Sequence, residues 1–256
     1  MTLKYIFILM INIFFYSAIA APPLVTDDAA VVPEGGWEYI ASVSGESRAA
    51  VDSTELPAME LSYGIADSMQ VTAAVARQVE EPRAGDSRSG WGYAGLGYKW
   101  RFVGDDSAAL AIAPAYTFPV NRSSRIRGLI EDIRVLSLPL IGTIARGRWE
   151  FSAQASFDIT SDDANGIGYG LAAGYAATDS LTLLAEIYGE EFSGDQTIVS
   201  GQKVDDGITN WRAGLAWEFQ PSFSLLAAWG GNIQSNLPPE DKLDYEYFLG
   251  LQYNTP

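Results

Sequence analysis

The stretch WGYAGLGYKWRFVGDDSAALAIAPAYTF, Trp91 to Phe118, decides how the rest of the chain is read. From Leu96 the large apolar residues fall on every second position, Leu96, Tyr98, Trp100 and Phe102, while Gly97, Lys99 and Arg101 take the other face. A period of two is the mark of a strand with two unlike faces. VGDDS turns the chain, and Leu110, Ile112, Pro114, Tyr116 and Phe118 resume the large-residue face against Ala111, Ala113, Ala115 and Thr117. Strands of about ten residues whose apolar face ends in aromatics fit a membrane-spanning barrel, which needs ~9–11 residues per strand.

The same unit repeats on both sides of this hairpin, and the whole reads as about twelve strands in an all-β, transmembrane antiparallel barrel. The connections alternate: turns near Ala66, Asp105, Gly147, Asp179 and Pro221 are short, whereas loops near Arg48, Ala84, Arg125, Asp163, Gln202 and Asn236 are long. Segregated turns and loops belong to outer-membrane barrels, whose short turns are periplasmic. An even strand number puts both termini at that end. With this parity, Trp37, Tyr63, Trp100, Trp149, Tyr175, Trp217 and Tyr253 form one girdle of the outer face, and Tyr116, Phe157, Tyr169, Trp211, Trp229 and Tyr245 form the other. Such rings prefer the headgroup region, where one end is apolar and the other can hydrogen-bond. Trp91 and Tyr93 break the parity, so the strand must bulge there or present them inward.

Three segments follow. Lys4 precedes an apolar run, Tyr5 to Tyr16, and Ala18 and Ala20 suit a small-residue cleavage site, so residues 1–20 read as a signal peptide. Residues 21–36, APPLVTDDAAVVPEGG, read as a periplasmic lead without clean periodicity; a segment of it, Thr26 to Gly36, could instead tuck into the lumen as a plug. Residues 37–256 form the barrel. The 256 residues hold no cysteine and no histidine, and 32 acids against 16 bases give a formal charge of −16. So acidic a chain has no general attraction for nucleic acid. The expected surroundings are outer-membrane lipid and lipopolysaccharide, with the barrel assembly machinery and a small-molecule solute as partners.

Function in a barrel belongs to the inward face. Its charged members are Glu38, Glu60, Lys99, Arg101, Glu150, Glu186, Glu190, Arg212, Glu218 and Glu246, seven acids and three bases. They read either as a wet pore lining that slightly favours cations or as ion pairs that brace and close the lumen. Barrels of ~8 strands are filled by side chains and those of ~16–18 leave a channel, so twelve lies between. Arg122, Arg125 and Arg127 sit together on a long loop, where they could filter anions at the mouth, touch lipid phosphates or simply be solvated. No catalytic, cofactor or metal site is expected. Barrels resembling the outer-membrane phospholipase need a histidine to activate their serine, and this chain has none.

The lead PPLVTDDAAVVPEGGWE, the hairpin ELSYGIADSMQV and the block GYAGLGYKWRF resemble the outer-membrane family labelled MetA-pathway of phenol degradation. The likeness is concentrated in the first hundred or so residues. It implies a transporter-like β-barrel, a passive channel for small solutes that include hydrophobic or aromatic compounds. The alternative is a closed structural or adhesive barrel whose extracellular loops carry the function. Barrels of this kind commonly end on an aromatic residue; here Tyr253 is followed by Asn254, Thr255 and Pro256.

Overall fold

The computed structural model describes residues 22–162, 165–193, 206–237, 239 and 242–255. The expected signal peptide lies outside them. In chain order the elements are β1 (Trp37–Arg48), β2 (Val51–Ala66), β3 (Met69–Pro82), β4 (Arg88–Gly104), β5 (Ala108–Ile112), β6 (Ala115–Pro119), α1 (Arg122–Ile126), β7 (Val135–Arg146), β8 (Trp149–Thr160), β9 (Asn165–Ala176), β10 (Leu181–Ser193), β11 (Asp206–Gln220), β12 (Phe223–Ser235) and β13 (Leu243–Asn254). The segments β5 and β6 are one barrel strand divided at Pro114, which has no N–H to give to a ladder. Bonds from Ala113 N to Pro139 O and from Tyr98 N to Pro114 O carry the sheet across the gap. Twelve antiparallel strands therefore span the barrel, and β1 closes it by pairing with β13 from Glu38↔Asn254 to Arg48↔Leu243. Closure satisfies every wall strand without an edge, as a hydrocarbon surround requires.

The exposed face is apolar. Leu138, Leu140, Leu171, Leu183 and Ile187 stand open to the outside between the strand ends. Aromatics crowd the two ends: Trp37 packs on Tyr63 at 4.5 Å and Trp149 on Tyr175 at 4.7 Å at the short-turn end, and Trp229 stacks on Tyr245 at 4.8 Å at the other. Charged and polar side chains point inward instead, with Gln70, Lys99, Glu186, Arg212 and Glu246 all buried.

Three features depart from the sequence reading. First, SGESRAAVDST is mostly strand: β1 runs on to Arg48, β2 begins at Val51, and only two residues turn the chain. With 16 residues in β2 and 17 in β4, these hairpins overrun the ~9–11 that cross a bilayer. Polar bonds outside the bilayer hold the overrun, including Arg83 to Asp52 at 2.7 Å and Arg88 to Glu80 at 2.8 Å. Second, the register slips between Ser42 and Ser44 on β1, between Glu55 and Ala58 on β2, and between Val75 and Arg77 on β3. The last slip lies opposite Trp91 and Ala94, and it resolves the parity conflict by leaving Trp91 exposed outside and Tyr93 buried inside. Third, the lead was read as a periplasmic segment with a lumenal plug as the alternative, and Pro22 to Glu34 runs inside the barrel, bonded to wall side chains.

Leu140 tests the orientation of the wall. Leu140→Arg puts a cation on the outer face midway along β7, in register with Ala155 and Ile112, and is expected to cost about 2–4 kcal/mol. Reversible denaturant unfolding from lipid vesicles measures it; a variant as stable as the parent would mean that this face does not meet lipid.

Candidate functional site

The lumen holds a segment that brings no strand of its own to pair with, so the wall's side chains supply the partners. Beginning at the short-turn end, Glu34 forms a parallel bridge with Gly64 on β2. Val32 N then donates to Gln70 Oε1 at 2.8 Å, and Ala29 N to Thr143 Oγ1 at 2.9 Å. Asp27 N reaches Gln154 Oε1 at 2.9 Å. Val25 N and Thr26 N both donate to the Glu186 carboxylate at 2.8 Å. The carbonyls are served by cations: Lys99 Nζ donates to Asp28 O at 3.1 Å and Ala30 O at 3.2 Å, and Arg212 Nη1 to Pro23 O at 2.9 Å. Lys99 also pairs with the Asp27 carboxylate at 2.7 Å. Pairing backbone groups with charged side chains gives stronger bonds than neutral partners would.

Read along the wall, these contacts pass through β2, β3, β4, β7, β8, β10 and β11 in turn. The lead is therefore a belt around the inner wall rather than a stopper on the axis. It fits closely because two wall positions have no side chain: a Cβ at Gly64 would collide with the Pro33 carbonyl and one at Gly170 with the Thr26 hydroxyl. Between them Ala29 is fully buried against Ala111, Ala113 and Ile141.

The inward charges split into groups. Lys99, Glu186 and Arg212 hold the belt. Glu246, 2% exposed, accepts from Arg212 Nη2 at 2.5 Å and from the Tyr188 hydroxyl at 2.6 Å, forming a fixed crosspiece beyond the tip of the belt. Glu38, bonded to Gln252, lies with Glu60 and Glu150 around a cavity of about 530 Å³ at the short-turn side. Asp27 and Asp28 of the belt also face this cavity, with Lys99 the base among them. The rest of its wall is mixed: Ile40, Leu184, Ala216 and Leu226 are apolar, and Gln70, Thr72, Ser152 and Gln252 are polar. Arg101 and Glu218 stand apart from it: Arg101 bonds Asp106 at 2.9 Å and Asp67 O at 3.2 Å beside a short turn, and Glu218 is exposed at the same rim. The buried Glu190 lies nearer the long-loop end.

Loop arginines tie their own loop down. Arg125 pairs with Asp132 at 2.5 Å, and Arg127 Nη2 donates to Ser89 O at 3.0 Å. Arg122 is exposed. The loop folds inward, burying Leu129 and Ile130 against Tyr93, whose hydroxyl accepts from Glu131 N and donates to Glu131 O. Tyr93 thus anchors a loop to the wall, a task its odd parity foreshadows. The belt's partners Gln70, Thr143 and Gln154 have no such signal, since neutral polar residues on an inward face look alike whatever they touch.

No family model matches the chain, and no curated relative does. Among solved structures, it is similar to the COG4313 outer membrane channel from Pseudomonas putida F1, with a TM-score of 0.69, 16% identity, and 89% of this chain and 98% of that one covered. It is also similar to the NanC porin, with a TM-score of 0.57, 10% identity and 84% and 98% covered. The translocator domain of the autotransporter NalP from Neisseria meningitidis gives 0.53 at 14% identity, covering 85% and 88%. The chain thus has the fold of outer-membrane β-barrels.

Seating of the belt is testable in a chain without cysteine. Ala29→Cys is expected to resist a water-soluble thiol reagent. Adding Lys99→Met strands Asp27 in the lumen and loosens the belt, with labelling faster by about tenfold or more. Equal labelling rates would show that Lys99 does not hold it.

Proposed function

We propose that this protein is a passive outer-membrane channel for small solutes that are neutral or cationic and in part apolar. The observation that carries the reading is the cavity between belt and wall, where Glu38, Glu60, Glu150, Asp27 and Asp28 face Ile40, Leu184 and Leu226. Acids in a low-dielectric enclosure repel anions and concentrate cations. The apolar side offers a place for hydrocarbon that a purely polar pore lacks, which supports the hydrophobic or aromatic class of solute suggested by the family resemblance. Fold similarity to channels and porins agrees with a transport role, although fold alone does not carry function.

Transport needs no energy-coupling group in this reading. A solute enters down its gradient and loses water against the apolar side. The loop folded inward onto Tyr93 takes up room at the long-loop end, which supports small solutes over chains.

Reversal potentials in planar bilayers with a salt gradient test the charge assignment. The parent chain is expected to prefer cations. Glu38→Gln with Glu60→Gln should reduce that preference while the channel still opens; an unchanged reversal potential would remove these acids from the path.

A further inference from the structure

The inward charges of the long-loop half do not balance. Glu190, 7% exposed, is repelled by the charges of Asp158 and Glu46 and attracted by that of Arg48. Arg48 is already bound to Glu46 at 2.6 Å. Asp158 is fully buried, and the Ser156 hydroxyl donates to its Oδ2 at 3.3 Å. Gly168 is in register with both Ser156 and Glu190, so no side chain of β9 stands between them. Among the described residues no donor bonds to the Glu190 carboxylate. Burying a carboxylate in this state is costly, because its water is removed and nothing replaces it.

Asn210 is the complementary case. It is 1% exposed, and its Oδ1 accepts from Asn232 Nδ2 at 3.1 Å. Its own Nδ2 is buried and has no acceptor among the described residues. Asn232 is its register partner on β12, so an Oδ1 turned to β12 leaves the Nδ2 turned away from it, on the side of β10. On β10 Tyr188 is in register with Asn210 and Glu190 with Ile208, which makes Glu190 and Asn210 diagonal neighbours on the inward face. Such a diagonal spans ~7–8 Å. An acceptor without a donor and a donor without an acceptor therefore flank one gap, and they do not bond each other.

The two groups define what fits between them. Three carboxylates, Glu190, Asp158 and Glu46, against the one engaged base Arg48 call for a cation. Asn210 calls for an oxygen that accepts, which neither a plain ammonium nor a guanidinium offers. A metal ion is a poor occupant, since the amide N–H would point its positive end at the ion. An ammonium beside a hydroxyl meets both demands. Glu190 and Asn210 face the lumen and not lipid, so the occupant is a dissolved solute.

We propose that Glu190 and Asn210 form a binding site for a vicinal amino alcohol, whose ammonium donates to Glu190 and whose hydroxyl oxygen accepts from Asn210 Nδ2. The site lies on the long-loop side of the Arg212–Glu246 crosspiece, apart from the cavity, and does not depend on whether the barrel conducts.

Ethanolamine is the probe, added to the refolded chain in detergent micelles, and the readout is the side-chain amide proton signal of Asn210. The signal is expected to shift to saturation. Ethylammonium, which lacks the hydroxyl, and ethylene glycol, which lacks the charge, should each bind about tenfold more weakly or worse. Glu190→Gln keeps the shape of the side chain and should weaken ethanolamine by about tenfold or more, the loss of one charge-assisted hydrogen bond. An Asn210 signal that does not move, as for a gap that holds water alone, would overturn the proposal. Equal binding of ethylammonium, or unchanged ethanolamine affinity in the Glu190→Gln variant, would overturn it as well. If that variant does not fold, the three probes on the parent chain decide by themselves. Conduction is tested separately by the reversal potentials, so either reading can fail without the other.

Discussion

A peptide segment inside a closed barrel must find donors and acceptors for its backbone without a strand edge to pair with. Here they come from side chains set one by one around the wall: Glu186 takes two amide protons, Lys99 gives to two carbonyls, and Gln70, Thr143 and Gln154 each take one. The rest of the lumen follows from this arrangement. Because the partners lie on successive strands, the belt runs along the wall and leaves space beside it. Because three partners are charged, the Asp27–Lys99 pair and the Glu186–Arg212 neighbours are drawn toward the belt, and Glu38 and Glu60 are left facing the cavity. A twelve-stranded barrel lies between the width that its own side chains fill and the width that leaves an open channel. An internal segment is a physical solution to that intermediate width.

Outside, the constraint is the opposite one. Hydrocarbon offers no hydrogen bonds, so the wall closes through β1 and β13 and shows apolar side chains between the strand ends. The row of bulges across β1 to β3 is where these demands meet. The slip opposite Trp91 and Ala94 leaves Trp91 on the outside and turns Tyr93 to the inward-folded loop.

Much of the wall is legible in the sequence, because a half-buried strand writes its two environments on alternate residues. Leu96 to Phe102 is enough to orient β4, and repetition of that pattern leads to the twelve strands and the girdles. The lumen is harder to read. Lys99, Glu186, Arg212 and Glu246 are visibly inward, yet nothing in their spacing says that the first three hold a belt and the last a crosspiece. The lead is not periodic because it is irregular backbone held by distant side chains, and its bonds join residues as far apart as Pro23 and Arg212. Loop lengths also mislead: Gly45 to Thr54 looks like a loop by composition, but a strand that leaves the bilayer keeps its ladder while its side chains turn polar on both faces.

The central claim is that the belt lies along the wall of the conducting path, and it is tested most directly by single-channel conductance of the chain with and without residues 22–33. The account predicts small, stable steps from the intact chain and steps several-fold larger from the shortened one, with cations preferred in both. Equal conductances would contradict it, since the belt would then not lie on the wall of the conducting path.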